Sequence, residues 1–118
     1  MDNRVNPDLR SYAHIGDAVW EVFIREITIY QTLVPNELHQ KTIALVNAKF
    51  QAELLGKIEE HLSEDEKAMA KRARNLADGK SNRPAHRIST AFEVLIGYWY
   101  LNDKKRLDNM FVTIKELL

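Results

Sequence analysis

Apolar residues recur three and four positions apart along most of the chain. Leu9, Tyr12, Ile15, Val19, Val22, Phe23 and Ile27 form the first such series, the spacing of one face of a helix. Asp8 or Asn6 can cap it, with Pro7 near its first turn, so a helix is predicted from there to near Tyr30, before a break at 32–35. Asn36 starts a second helix with Leu38, Ile43, Leu45 and Val46 as apolar contacts. Asn47 interrupts it and caps a third, through Phe50, Leu54, Leu55, Ile58 and Leu62. Ser63 followed by Glu64, Asp65 and Glu66 reads as a capping box whose acids suit a helix N-terminus, opening a helix to about Leu76. Residues 78–84 are the one clear loop. The run TAFEVLIGYWYL, Thr90 to Leu101, is apolar on every side and should lie centrally or at a subunit interface. Gly97 inside it lowers helix propensity by about 1 kcal/mol against Ala, which close approach of another helix would explain. Asn102-Asp103 breaks the pattern before a last helix to Leu118. No segment sustains period-two alternation; the β-branched cluster from Ile27 to Tyr30 is the one place for a strand. The expected fold is all-α, helix packed on helix in a single domain, 1–118.

Composition narrows the function. The 118 residues are 45% hydrophobic and 29% charged, an ordinary soluble balance. Cysteine is absent, which excludes disulfides and thiolate zinc sites and suits a reducing, cytoplasmic setting. The N-terminal MDNRVNPDLR has no apolar core, so no signal peptide is expected. No run reaches the roughly 18 apolar residues of a membrane span. Seventeen basic residues balance seventeen acids, yet the charge is not evenly spread. From Lys67 to Arg87, seven basic residues face only Asp78, a local charge of +6, and the rest of the chain carries −6. Such a segment suggests a local anion-binding surface.

Two acids stand in unlikely places. Glu93 is the only charged residue of the Thr90 run, and Asp17 lies in HIGDAVW between Ile15, Ala18, Val19 and Val22. Glu21, four residues on, shares roughly the face of Asp17. An ionised carboxylate beside an apolar surface needs a partner. One reading pairs each acid with an Arg or Lys from a neighbouring helix. The other places a hard cation on both, since carboxylates with several waters are the usual way of holding Mg²⁺. The four histidines lack zinc-ligand spacing, no serine has a nucleophile-elbow context, and the glycines form no phosphate-cradling loop. Tyr98, Trp99 and Tyr100 could stack bases but more naturally serve core or interface.

IGDAVW, Ile15 to Trp20, resembles the signature helix of the ribonuclease III domain, and TAFEVLIGYWYL resembles that domain's second motif. Their separation and the basic, Gly-containing loop between them also fit, so the resemblance covers nearly the whole chain. No accessory double-stranded-RNA-binding domain is expected, and a catalytic domain alone, with KRARNLADGKS and ISTAFEVLIGYWYL, is similar to the Mini-III branch. The resemblance implies a helical homodimer that cleaves double-stranded RNA with Mg²⁺, Mn²⁺ substituting. Asp17 and Glu93 match the motifs' metal-binding, catalytic acids. The implied substrate is the stem of precursor large-subunit ribosomal RNA, cut to 5′-phosphate ends with short 3′ overhangs. Three positions depart from the standard domain's acids: Arg10, Ala13 and Thr90. His14 stands where the standard domain has an interface Phe. Fewer acids imply water-rich coordination, with Glu21 and Thr90 as candidates for contacting the metal's waters or ligands. RNA contact is expected from Lys71, Arg72, Arg74, Lys80, Arg83 and Arg87, and the interface from His14, Ile15, Val19, Phe92, Tyr98 and Trp99.

Two other functions compete: a non-catalytic double-stranded-RNA or ribosome-binding protein on the same fold, and a helical interaction module with no RNA role. Carboxylates facing phosphates repel RNA unless a cation intervenes, so Asp17 and Glu93 favour a nuclease over a binder. The +6 segment favours either over the interaction module.

Overall fold

The computed structural model describes residues 3–76 and 83–118, and among them every regular element is helical. The order is α1 (Leu9–Thr28), α2 (Pro35–Val46), α3 (Ala48–Ile58), a single 3₁₀ turn (Glu59–His61), α4 (Glu64–Arg74), α5 (Pro84–Asn102) and α6 (Lys104–Leu117). The Ile27–Tyr30 cluster is the end of α1 and the turn after it, not a strand. The expected loop lies mostly outside the described residues.

Local chemistry sets the boundaries. The Asp8 side chain caps α1 by accepting from the Ser11 amide, and Asn47 caps α3 by accepting from the Phe50 amide. The Ser63 capping box is complete, with Ser63 Oγ accepting from the Glu66 amide and Glu66 Oε1 from the Ser63 amide. Asp103 ends α5 and caps α6. Pro35 and Pro84 occupy first helical positions, where a missing N–H costs nothing.

α5 is the central helix, packed against α1, α3, α4 and α6. Ala91, Phe92, Val94, Leu95, Ile96, Gly97 and Trp99 are buried on all its sides, as the uninterrupted apolar run requires. Phe92 and Trp99 therefore belong to the core and not to an interface. The core face of α1 also differs from the expected one: Gly16, Trp20, Ile24 and Thr28 are buried, while Val22 is 56% exposed. α1 is apolar on two faces, and the small residues Gly16 and Thr28 let one of them approach its neighbours closely. Trp20 is fully enclosed, edge-on to Phe92 at 4.9 Å, and its Nε1 donates to the Leu45 carbonyl at 3.0 Å. Thr42 Oγ1 donates to the Leu38 carbonyl, so Thr28 supplies the proton of the buried 3.0 Å Thr28–Thr42 hydrogen bond. Trp99 Nε1 donates to Glu66, which also receives two hydrogen bonds from Arg106. That group ties α4, α5 and α6 together.

Candidate active site at the crossing of α1 and α5

Two glycines decide how α1 meets α5. A Cβ on Gly16 would lie 1.8 Å from the carbonyl oxygen of Glu93, and a Cβ on Gly97 would lie 2.0 Å from that of Tyr12. Backbone touches backbone there, and only glycine permits it. Gly16 precedes Asp17 in the chain and abuts Glu93 in space, so the same contact brings the two carboxylates together. Tyr12 and Tyr98 pack edge-on at 5.4 Å one turn away and hold the crossing from the side.

The carboxyl groups of Asp17 and Glu93 are in hydrogen-bond contact, with Asp17 exposed and Glu93 half-buried. Burial pushes the Glu93 carboxyl up to about 9, helped by the hydrogen bond to Asp17 and by its charge. Two carboxylates this close do not both ionise in the absence of a cation, so Glu93 keeps its proton at neutral pH. Neither acid has an Arg or Lys salt-bridge partner among the ion pairs of the described residues. No group of three or more His, Cys, Asp or Glu converges among the described residues. The donor set is thus two oxygen-bearing groups open to solvent on one side, which fits Mg²⁺, a cation that keeps several of its waters and takes one or two carboxylates.

Glu21 and Thr90 are placed differently around the carboxylate pair. Glu21 is one turn along α1 from Asp17 and forms an ion pair with Arg25. Thr90, one turn before Glu93, donates its hydroxyl proton to the His86 carbonyl at 3.0 Å. Arg10, Ala13 and Thr90, the three departures from the family's acidic positions, line one cavity beside the carboxylate pair together with His86 and Arg87. His86 beside these three positions is not among the sequence-derived site residues; its one signal is its place four residues, about one helical turn, before Thr90. Of the basic residues, Lys71, Arg72, Arg74 and Arg83 are exposed at the end of α4 and the start of α5, and Arg87 is half-buried. Lys80 lies outside the described residues.

No helix among the described residues is long and apolar enough to cross a membrane. The family described as the ribonuclease III domain matches residues 10–104. The Mini-ribonuclease 3 of Clostridium tetani is 38% identical over 112 residues, which cover 89% of this chain and 74% of that protein. A Mini-ribonuclease 3-like protein of Ilyobacter polytropus is 39% identical over 119 residues, covering 89% of this chain and 94% of its own. A crystal structure of a Fusobacterium nucleatum protein superposes with a TM-score of 0.80 at 29% identity, covering 97% of this chain and 96% of that one. With both motifs inside the matched span and their acids in contact, the chain belongs to the ribonuclease III family, as an endoribonuclease of the Mini-ribonuclease 3 type.

Proposed function

We propose that the protein cleaves double-stranded RNA with Mg²⁺, Mn²⁺ substituting, and that Asp17 and Glu93 hold the cation. The observation that carries this reading is the carboxylate pair itself, where Glu93 retains a proton up to about 9. A site that holds one proton between two acids is primed to exchange that proton for a divalent cation. Bound there, the cation would activate water against a phosphodiester and draw off charge from the phosphorus oxygens. Asp17 and Glu93 fix its position, and the α1–α5 contact fixes theirs. The exposed cations at the end of α4 and the start of α5 would hold the RNA through its phosphates, the part of an RNA duplex that proteins mainly read. The substrate is taken to be the stem of precursor large-subunit ribosomal RNA in the cytoplasm, cut to 5′-phosphate ends with short 3′ overhangs.

A duplex has two strands, and a two-fold homodimer presents one site to each. The surface that suits this role is the second apolar face of α1. Ile15, Val19, Val22 and Phe23 line a trough of about 440 Å³ with Tyr100 and Phe111. Ile15 is two residues from Asp17, so an interface there would set the spacing of the two sites.

The test is incubation with a long RNA duplex, with Mg²⁺ or with chelator. Discrete double-strand cuts only with Mg²⁺ are expected, and lost by orders of magnitude in folded Asp17→Asn and Glu93→Gln variants. Near-normal cutting by either variant would remove the assignment. Binding of the duplex without cutting under every condition would favour the non-catalytic alternative.

A further inference from the structure

A helical side chain shares its face with the residues three and four positions before and after it, about one turn away. Any further ligand that α1 or α5 could bring to the carboxylate pair must come from those places. For Asp17 they are Ala13, His14, Trp20 and Glu21. For Glu93 they are Ser89, Thr90, Ile96 and Gly97. Ala13, Trp20, Ile96 and Gly97 carry no side-chain oxygen. Glu21 is held by the Arg25 guanidinium. Ser89 and Thr90 both donate their hydroxyl protons to the His86 carbonyl, at 2.7 and 3.0 Å. Ser89 is buried as well, and a hydroxyl at Thr90 brings no charge to a cation. His14 is exposed, offers nitrogen where Mg²⁺ and Mn²⁺ prefer oxygen, and forms no group of three with the two acids. The other helices add nothing, since no three His, Cys, Asp or Glu converge among the described residues. The acids outside them are Asp2 and Asp78.

Charge leads to the same count as geometry. Two ionised carboxylates carry two negative charges, which one divalent cation neutralises. A second ion about 3.5–4 Å away, the separation in two-metal sites, would face the first with no further carboxylate to offset their repulsion, which is large at such distances. We infer that each protomer holds a single divalent cation, at Asp17 and Glu93, and that the uncharged side chain at Thr90 is what leaves no place for a second. The inference deepens the nuclease reading and rests on it for the use of the ion. A single ion keeps most of its coordination positions for water and phosphate oxygens, the usual arrangement for Mg²⁺ on one or two carboxylates. One ion must then serve both the attacking water and the phosphorus oxygens. Cleavage at low Mg²⁺ should rise in proportion to the Mg²⁺ concentration and not to its square.

The test counts ions on the whole chain without RNA. Mn²⁺ is the probe, because electron paramagnetic resonance reads both the bound fraction and any coupling between neighbouring ions. Wild type is expected to take up one Mn²⁺ per chain with the spectrum of an isolated ion, and calorimetry with Mg²⁺ should give the same stoichiometry. The double variant Asp2→Asn, Asp78→Asn should match wild type. Thr90→Asp and Thr90→Glu, which place a carboxylate one turn from Glu93 with different reach, should take up a second Mn²⁺ and show coupling. Two ions per chain or a coupled spectrum in wild type overturns the inference. So does a lower ion count in the Asp2, Asp78 double variant. One isolated ion bound with wild-type affinity in both Thr90 variants overturns the shortage of carboxylates as its cause. Wild type that binds one ion yet cuts no RNA duplex with Mg²⁺ would overturn the nuclease reading and leave the count standing, whereas two coupled ions together with cutting would do the reverse. No ion bound at millimolar Mn²⁺ would overturn both.

Discussion

Glu93 destabilises the metal-free protein as pH rises above neutrality. Its folded pKa of about 9 lies above the ordinary value of 4.5, so between those two values the folded state binds a proton that the unfolded chain releases. Its stabilising contribution is complete below about 4.5 and disappears as pH rises toward 9. Stability measured in chelator should therefore fall with rising pH across that window. Glu93→Gln keeps the hydrogen bond to Asp17 without the proton exchange, so it should flatten that slope and raise Tm at pH 8 by several degrees while abolishing cleavage. A variant less stable than wild type at pH 8 would count against the shared-proton picture. The same shift predicts that Mg²⁺ binding at pH 7 displaces close to one proton per site, which calorimetry in buffers of different ionisation enthalpy would register. That both acids sit beside apolar surface was legible in the sequence. Their contact was not, because it depends on where two helices cross, and no local spacing encodes a crossing.

At the scale of elements, the sequence disclosed what is written locally. Asn47, the Ser63–Glu66 box and Asp103 mark helix starts by chemistry that spans three residues, and each is visible to the eye. The inward face of α1 differs from the expected one because seven apolar residues spread over two faces outnumber the small residues that pack against α5. Gly16, a poor helix former inside α1, is the point of contact. Adding a methyl group at Gly16 or Gly97 forces the helices apart, since the obstacle is backbone and not a flexible side chain. Gly16→Ala should cost about 3 kcal/mol in denaturant unfolding and should weaken Mg²⁺ binding as the carboxylates separate; Gly97→Ala should behave alike. A stable Gly16→Ala variant with normal metal affinity would mean that the crossing does not set the site. The opposite end of α5 is held by Glu66. Burial pushes its carboxyl up, but the hydrogen bonds from Arg106, the Ser63 amide and Trp99 outweigh this and leave it below the ordinary value of 4.5. Its contribution is present above that value and is lost as pH falls through the lowered one. Glu66→Gln should therefore lower stability at neutral pH and make acid unfolding shallower than in wild type.

For the whole molecule, the proposed two-fold symmetry and the charge distribution both bear on how the proposed duplex would be seated. Val22 is 56% exposed, beside Phe23, whose ring stacks on Phe111 at 3.9 Å. A solvent-facing valine in a trough of aromatics is where a charge would disrupt a dimer without touching the core. Val22→Glu is expected to sediment as a folded monomer at micromolar concentration and to lose concerted double-strand cutting; a persisting dimer would move the interface elsewhere. The seating of RNA follows from charge. The molecule as a whole is neutral, so long-range attraction cannot come from net charge and must come from the one segment with a surplus. Arg72 and Arg74 in the last turn of α4 and Arg83 at the cap of α5 are exposed, on elements that flank the groove of α1 and α5. Exposed side chains of this kind contribute little to folding, so their removal isolates binding. Each phosphate they neutralise releases counterions, adding about 0.7–0.9 to the slope of log K against log salt. Replacing all three by Ala should lower that slope by about 2, raise the RNA concentration needed for half-maximal cleavage, and leave the rate at saturation, Mg²⁺ affinity and sedimentation close to wild type. Unchanged affinity and slope in the triple variant would mean that the duplex approaches the carboxylate pair from another side, and that the +6 segment has a different partner.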